Sequence, residues 1–207
     1  MNEGIKVVLF DLGNVLIDFD YHLSARRISR FCDRSPKDIA GLFFDSEMTA
    51  LFEAGKISPV DFFAKVKAAL DLKLSYTAFV PIWNEIFFLS AKNRSVYSLI
   101  NNLKLHYGIA LISNIDILHY EYLKKHFPVF NVFDEIFLSY ELGLVKPDRL
   151  IYQEVLTALK VEPGSVFYTD DRPELVKSAK EMGINSFVFS GIRQLKSDLL
   201  GAGLTVH

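Results

Sequence analysis

Five short runs of apolar residues most constrain how this 207-residue chain can fold. They lie at residues 5–10, 109–113, 134–138, 166–169 and 184–189. None of them alternates apolar with polar positions, as a strand with one face in water would do. Unbroken apolar runs of this length are typical of strands buried on both faces of a parallel sheet.

The segments between the later runs carry the periodicity of amphipathic helices. Val96, Leu99 and Leu103 fall on one helical stripe, and Gly108 follows as a stop signal. Another helix is expected to open at Pro173, because proline is tolerated in the first turn. Strands that alternate with helices predict an α/β fold with a doubly wound, parallel, Rossmann-like sheet.

The interval after the first strand, residues 17–90, breaks this alternation because it holds several helical stretches and no convincing strand. We therefore expect an α/β core domain of residues 1–16 and 91–207 and a helical domain of residues 17–90 inserted after the first strand. Within the insertion, the stretch DSEMTALFEAGKIS, residues 45–58, is expected to face the substrate.

Charge and composition exclude several classes of protein. The net charge is -2 and no block of like charges occurs, so a nucleic-acid partner is not expected. No apolar run approaches the roughly 18 residues that span a bilayer, and the N-terminus lacks the basic region of a signal peptide. We expect a cytoplasmic protein without a membrane partner; the sequence does not indicate its oligomeric state.

Polar side chains come at or after the ends of four predicted strands. In an open α/β sheet the carboxyl ends of the strands meet at one edge, where ligands bind near the switch in strand order. We therefore expect these side chains to converge, although each alone has a commoner use as a turn residue, helix cap or surface residue. The expected site contains Asp11, Ser113, Asn114, Lys146, Asp170 and Asp171.

This set of side chains suits phosphoryl transfer. One carboxylate can act as a nucleophile, and two carboxylates from neighbouring strands can hold Mg²⁺. A lysine and a hydroxyl can neutralise and orient the phosphoryl oxygens. If Asp11 and Asp171 share an ion, the first and fourth strands of the predicted sheet must be neighbours.

Four motifs, in order, carry a family resemblance: FDLGNVL, LISN, KPDRLIYQ and VFYTDD. Together with the helical insertion, which looks like a type-one cap, they resemble the haloacid dehalogenase-like hydrolases over essentially the whole chain. The first motif is most similar to the glucose-1-phosphate phosphatase-like branch. The resemblance implies a Mg²⁺-dependent hydrolase that acts through an aspartyl-phosphate. Its expected substrates are small phosphate monoesters, with sugar phosphates as candidates.

The resemblance also implies a role for each expected site residue. Asp11 is the nucleophile, and Lys146 supports catalysis. Ser113, Asn114 and Lys146 bind the phosphorylated substrate. The metal ligands are Asp11, the backbone carbonyl of Gly13, and Asp171 with the support of Asp170.

Gly13 departs from the family pattern, because phosphatases of this family usually have a second aspartate there. The glycine carbonyl can still bind metal, but no side chain can protonate the leaving oxygen, and Asn14 cannot shuttle a proton. General acid catalysis contributes about 10² to 10⁴ in rate. We therefore expect a preference for anomeric sugar, aryl or acyl phosphates over alkyl phosphates. Asp18, Asp20 and His22 are possible substitute acids, although a role as hinge or helix-cap residues is commoner.

Two other functions stay open at this point. A 2-haloacid dehalogenase also uses an aspartate nucleophile and needs no proton donor, but it works without metal and does not need the pair Asp170 and Asp171. A non-catalytic protein that binds phosphorylated metabolites is the second alternative. The remaining histidines have no partners at metal-ligand spacing and are expected at the surface or at helix ends: His106, His119, His126 and His207.

Overall fold

The computed structural model of the protein describes residues 4–43 and 46–206; His207 and the segment 44–45 lie outside them. Its strands are β1 (Val7–Phe10), β2 (Asp18–Phe19), β3 (Phe87–Phe88), β4 (Gly108–Ser113), β5 (Glu135–Leu138), β6 (Val166–Asp170) and β7 (Asn185–Val188). Five of them form one parallel sheet in the order β5-β4-β1-β6-β7. All five predicted strands are therefore present, and the predicted fold class is confirmed.

The strand order reverses at β1, which lies between β4 and β6. Val7 is in register with Gly108 on one side and with Val166 on the other. The chain moves outward from β1 to β4 and β5, and then returns to place β6 on the other side of β1. The carboxyl ends of β1 and β6 are thus neighbours, as a shared site for Asp11 and Asp171 requires.

Apolar side chains of the sheet alternate between two buried clusters. Val8 and Phe10 of β1 point into one cluster, and Val7 and Leu9 point into the other. Because both faces are covered by helices, both sets of positions are apolar, which explains why the sequence runs are unbroken. The helices are α1 (Tyr21–Ile28), α2 (Pro36–Phe43), α3 (Glu47–Glu53), α4 (Pro59–Leu70), α5 (Tyr76–Asn84), α6 (Ala91–Leu103), α7 (Ile117–His126), α8 (Ser139–Leu142), α9 (Arg149–Leu159), α10 (Pro173–Glu181) and α11 (Ile192–Gly201).

Helices α1 to α5, here called the helical segment, have an apolar cluster of their own. Phe52, Phe62, Phe79 and Trp83 are buried in it, and the rings of Phe52 and Phe62 stack with centroids 4.3 Å apart. Serine residues cap α3, α4 and α5, and Pro59 follows the serine cap of α4 in the first turn of that helix. The short antiparallel pair of β2 and β3 joins the segment to the sheet domain, and the sequence did not predict this pair.

The helical segment packs closely on the sheet domain beside α8. The hydroxyl of Ser139 donates to the carbonyl of Glu53 at 2.6 Å. Gly55 has a positive φ of 64°, and a Cβ there would lie 2.3 Å from the carbonyl oxygen of Tyr140. A glycine is therefore required at this contact, for both its conformation and its lack of a side chain.

His119 of α7 forms a second contact with the helical segment. Its ring stacks on Trp83 with centroids 4.9 Å apart and planes at 7°. Its Nδ1 lies 2.8 Å from a carboxylate oxygen of Asp116, and its Nε2 lies 3.1 Å from the carbonyl oxygen of Trp83. His119 lies in the first turn of α7, which is one of the two kinds of position expected for it, but it is buried because the helical segment covers α7 there.

Both partners of the His119 ring are hydrogen-bond acceptors, so both ring nitrogens donate only in the imidazolium form. Burial lowers the pKa of His119, but the Asp116 carboxylate and the Trp83 carbonyl outweigh burial and the pKa is raised, with a further contribution from Glu53. A histidine with a raised pKa contributes stability that is complete below its unfolded pKa and is lost as pH rises through its folded pKa.

We expect His119→Gln to lower the free energy of unfolding by about 2 kcal/mol or more at pH 6, because Asp116 loses its cation and Trp83 its stacking partner. The difference from wild type should shrink as pH rises. Urea unfolding at pH 6, 7 and 9 measures it, and His106→Gln, at an exposed position, serves as the control. A difference that is constant with pH would contradict a charged His119.

None of the helices in the described part of the chain is both long enough and apolar enough to cross a bilayer.

Candidate active site

A cavity of about 600 Å³ lies between the carboxyl edge of the sheet and the helical segment. Its floor is formed by residues at the ends of β1, β4 and β6, and α3 contributes much of the opposite wall. All seven residues that the sequence placed in the site line this cavity: Asp11, Gly13, Ser113, Asn114, Lys146, Asp170 and Asp171.

Lys146 lies at the centre of the floor, where its side chain is almost wholly buried. Its ammonium group donates to Asp11 Oδ1 at 2.6 Å and to Asp170 Oδ2 at 2.7 Å. Burial alone would lower the pKa of Lys146, but the charges of Asp11 and Asp170 raise it above its usual value. The lysine is therefore a permanent cation that neutralises part of the charge of the two carboxylates.

Both carboxylate oxygens of Asp170 accept hydrogen bonds from other residues of the protein. Oδ2 accepts from Lys146 and from the hydroxyl of Tyr168, and Oδ1 accepts from the backbone N–H of Arg172 at 2.9 Å. Tyr168 was not among the expected site residues. Its position two residues before Asp170 could have revealed it, because residues i and i+2 of a strand point to the same face.

Asp11 has a carboxylate oxygen with no partner among residues 4–43 and 46–206. Lys146 binds Oδ1, whereas no described residue donates a hydrogen bond to Oδ2. Burial, followed by the charge of Asp170, raises the pKa of Asp11 to about 7, although Lys146 opposes this shift. The ionised carboxylate is therefore poorly compensated by the protein alone.

Asp171 follows β6 and points to the same place as Asp11. One oxygen from each of Asp11, Asp170 and Asp171 can be chosen so that all three lie within 4.8 Å of one another. Asp171 Oδ2 accepts a hydrogen bond of 2.9 Å from the side chain of Asn14, and burial raises the pKa of Asp171. Three hard oxygen donors at this spacing fit a divalent cation, which would also offset their mutual repulsion.

Asn114 joins β4 to the loop that carries Lys146. Its side-chain amide donates to the Lys146 carbonyl at 2.9 Å and its side-chain oxygen accepts from the Lys146 N–H at 2.8 Å. These two bonds fix the lysine backbone relative to the sheet. Ser113 is buried at the end of β4, and its hydroxyl lies 3.4 Å from the Asn114 carbonyl, a weak contact.

Gly13 lies against the ring of Phe19, the second residue of β2. A Cβ on residue 13 would be 2.7 Å from Phe19 Cε1, closer than side chains approach one another. Phe19 therefore occupies the space into which a side chain at position 13 would extend. This contact could not be predicted from the sequence, because Phe19 lies in a strand of only two residues.

The hinge residues considered as substitute acids have other contacts. Asp18 forms an ion pair of 2.6 Å with Lys92. Burial raises the pKa of Asp18, but hydrogen bonds from Lys92, Ser90 and Asn93 outweigh burial, so the pKa is lowered. Asp20 caps α1 by accepting from the His22 N–H at 2.8 Å. Neither aspartate nor His22 lines the cavity.

The charge around the cavity is predominantly negative. Six carboxylate side chains line it, against the cations of Lys146, Arg172 and His119. Each of these cations already contacts a carboxylate: Lys146 contacts Asp11, Arg172 contacts Glu174 at 2.7 Å, and His119 contacts Asp116. A phosphate group entering the cavity would therefore need an added cation.

Comparison with known proteins agrees with this geometry. Residues 5–183 match the family of haloacid dehalogenase-like hydrolases. The chain belongs to this family. The hydrolase is 27% identical over 186 residues to a sesquiterpene phosphatase of Aspergillus oryzae, and the match covers 89% of each chain. It is 23% identical over 192 residues to a D-ribitol-5-phosphate phosphatase of Bacteroides thetaiotaomicron, with 88% of this chain and 91% of the relative covered.

A solved structure of a related enzyme from Bacteroides thetaiotaomicron, in complex with magnesium and inorganic phosphate, has the same fold as this hydrolase. The two superpose with a TM-score of 0.78 at 26% identity, covering 89% of this chain and 94% of that chain. The family resemblance stated from the four motifs is confirmed, and so is the assignment of the chain as a hydrolase.

Proposed function

We propose that this hydrolase is a Mg²⁺-dependent phosphatase of small phosphate monoesters, sugar phosphates among them. The observation that carries the proposal is the convergence of Asp11, Asp170 and Asp171 at the switch point of the sheet, beside the buried ammonium group of Lys146. The relatives named as phosphatases and the related structure with magnesium and phosphate support it.

In the proposed reaction Asp11 is the nucleophile and Oδ2 is its attacking oxygen. A bond forms between Oδ2 and phosphorus, the ester bond breaks, and the alcohol leaves with the bonding electrons and takes a proton from solvent. Water then attacks phosphorus, inorganic phosphate leaves, and Asp11 is restored. Lys146 holds Oδ1, which orients the carboxylate, and Ser113 contacts the phosphoryl oxygens.

Asp11 and Asp171 would hold the Mg²⁺ ion, with the carbonyl of Gly13 as a further ligand. The bound ion would supply the positive charge that the cavity lacks. We infer that Asp170 contributes mainly by holding Lys146 in place, because both of its oxygens already accept hydrogen bonds. Asn114 would position Lys146 while it lines the substrate site.

The helical segment would act as a cap that covers the cavity during the reaction and contacts the leaving group. We propose residues 17–90 as this cap and residues 1–16 and 91–207 as the core, as the sequence predicts. Of the stretch 45–58, Asp45 lies outside the described residues, while Ser46, Glu47 and Glu53 line the cavity.

The proposal is tested by phosphate release from a set of sugar phosphates and aryl phosphates, with Mg²⁺ and with EDTA. We expect release with Mg²⁺ and none with EDTA. Halide release from a 2-haloacid without metal would instead favour a dehalogenase. The excess of carboxylates around the cavity opposes the binding of a 2-haloacid anion. Binding of phosphorylated metabolites without turnover would favour the non-catalytic alternative.

The absence of an acid at Gly13 leads to a prediction about the leaving group. We expect kcat/KM for phenyl phosphate to exceed that for cyclohexyl phosphate by about 100-fold or more, because the enzyme cannot protonate a poor leaving group. The two esters are similar in size, so the ratio reports leaving-group acidity. Equal values of kcat/KM would show that another residue supplies the proton.

The contact between Gly13 and Phe19 leads to a paired prediction. Gly13→Asp alone should destabilise the protein and fail to raise the rate on cyclohexyl phosphate, because the new side chain meets the ring of Phe19. Gly13→Asp combined with Phe19→Ala should raise that rate by about 10-fold or more, since the acid then has room. Phe19→Ala alone is the control. A gain of rate in Gly13→Asp alone would contradict the steric explanation.

A further inference from the structure

The cavity wall formed by the helical segment carries negative charge, whereas an anionic ligand requires positive charge. Glu47 and Glu53 of α3 line this wall, together with Tyr21 and Phe43. Among the residues that the structure describes, no lysine or arginine of the helical segment lines the cavity. The part of a substrate that extends away from Asp11 therefore meets carboxylates and aromatic rings.

Two basic residues of the helical segment lie in a different recess. His22 and Lys37 line a hollow of about 440 Å³ beside Phe19 and Tyr21. Neither His22 nor Lys37 is among the residues that line the main cavity. Neither residue therefore adds positive charge to the lining of the main cavity.

The aromatic side chains of the main cavity indicate a second property of its ligand. Phe19, Tyr21, Phe43 and Phe87 all line the cavity, and such rings contact apolar groups and the faces of sugar rings. The volume of about 600 Å³ has room for an organic group beyond the phosphate. Apolar surface combined with negative charge favours a ligand that carries no anionic group of its own.

We propose that the leaving group of the natural substrate is an uncharged organic alcohol with an apolar face, and that Glu47 and Glu53 exclude esters bearing a second anion. This inference rests on the proposed phosphatase function and specifies its substrate class. Phosphorylated carboxylic acids, bisphosphates and nucleotides with further phosphates would be poor substrates. A like charge in a partly desolvated cavity is a strong basis for such discrimination.

A pair of esters that differ only in one remote charge tests the inference. 4-(Carbamoylmethyl)phenyl phosphate and 4-(carboxymethyl)phenyl phosphate have nearly the same shape, and the methylene group keeps the acidity of the two phenols similar. We expect kcat/KM for the neutral ester to exceed that for the anionic ester by about tenfold or more. The enzyme is assayed with Mg²⁺ at low ionic strength, because salt screens the effect.

Variants of the wall identify the source of the discrimination. Glu47 is exposed, so Glu47→Lys is expected to fold, and it should bring the neutral-to-anionic ratio towards 1. Glu47→Gln and Glu53→Gln should each reduce the ratio by a smaller factor. Glu162→Lys, an equal change of charge at an exposed position that does not line the cavity, should leave the ratio unchanged.

The outcomes separate the inference from the function on which it rests. Phosphate release from both esters with equal kcat/KM would overturn the inference and leave the phosphatase standing. A high ratio that persists in Glu47→Lys and Glu53→Gln would overturn the role of these two glutamates. Phosphate release from neither ester, nor from phenyl phosphate, would overturn the proposed function and the inference with it.

Discussion

Asp11→Asn should abolish phosphate release, with kcat lowered by at least about 10³-fold, because an amide cannot attack phosphorus as a carboxylate does. The same variant should unfold at no lower urea concentration than wild type. Burial and Asp170 raise the pKa of Asp11 to about 7. A carboxyl whose pKa is higher in the folded than in the unfolded state lowers the free energy of unfolding once it ionises. Above pH 7 the neutral amide in Asp11→Asn avoids this loss of stability.

Loss of activity without loss of stability would mark Asp11 as a functional residue. The assay is phosphate release from phenyl phosphate with Mg²⁺, combined with urea unfolding at pH 8. Asp71→Asn is the matched control, because Asp71 is exposed at the end of α4 and does not line the cavity. Undiminished turnover in Asp11→Asn would refute the proposed nucleophile.

Lys146→Met should impair both stability and activity. Methionine fills a similar volume but leaves the buried carboxylates of Asp11 and Asp170 without their cation. Breaking a buried ion pair in this way costs about 3 to 5 kcal/mol. The cost should be greatest above pH 7, where Asp11 is ionised, and should decrease as pH falls and Asp11 takes up a proton.

The activity of Lys146→Met should fall by about 10²-fold or more even where the variant is folded, because the orientation of Asp11 is lost. Urea unfolding at pH 6 and pH 8, followed by assays below the unfolding midpoint, separates the two effects. Lys177→Met, at an exposed position of α10, is the control. A variant with wild-type stability and rate would contradict the central position of Lys146.

The sheet could be predicted from the sequence because burial on both faces leaves a local signal. Each strand is an unbroken apolar run, and the residue at or after its end lies at the ligand edge. Asp11 and Asp171 could therefore be placed together from the chain order alone, once the strand order was taken to reverse at β1. This signal depends on composition within a few residues and not on distant contacts.

The features that the sequence did not reveal depend on contacts between distant segments. The burial of His119 follows from the packing of Trp83 over α7. The contact of Phe19 with Gly13 requires the turn between β1 and β2, in which Asn14 has a positive φ of 54°. The periodicity of the sequence within each segment does not predict either of these contacts.

The most direct test of the account is to trap the phosphoryl group on the enzyme. The protein is mixed with labelled phenyl phosphate and Mg²⁺, quenched in acid within one turnover, and digested for peptide mapping. Because no side chain at position 13 activates water, the second step should be slow and the intermediate should accumulate. We expect one hydroxylamine-sensitive phosphoryl group on the peptide that contains Asp11, dependent on Mg²⁺. Turnover without this adduct, or a phosphoryl group on another residue, would contradict the account.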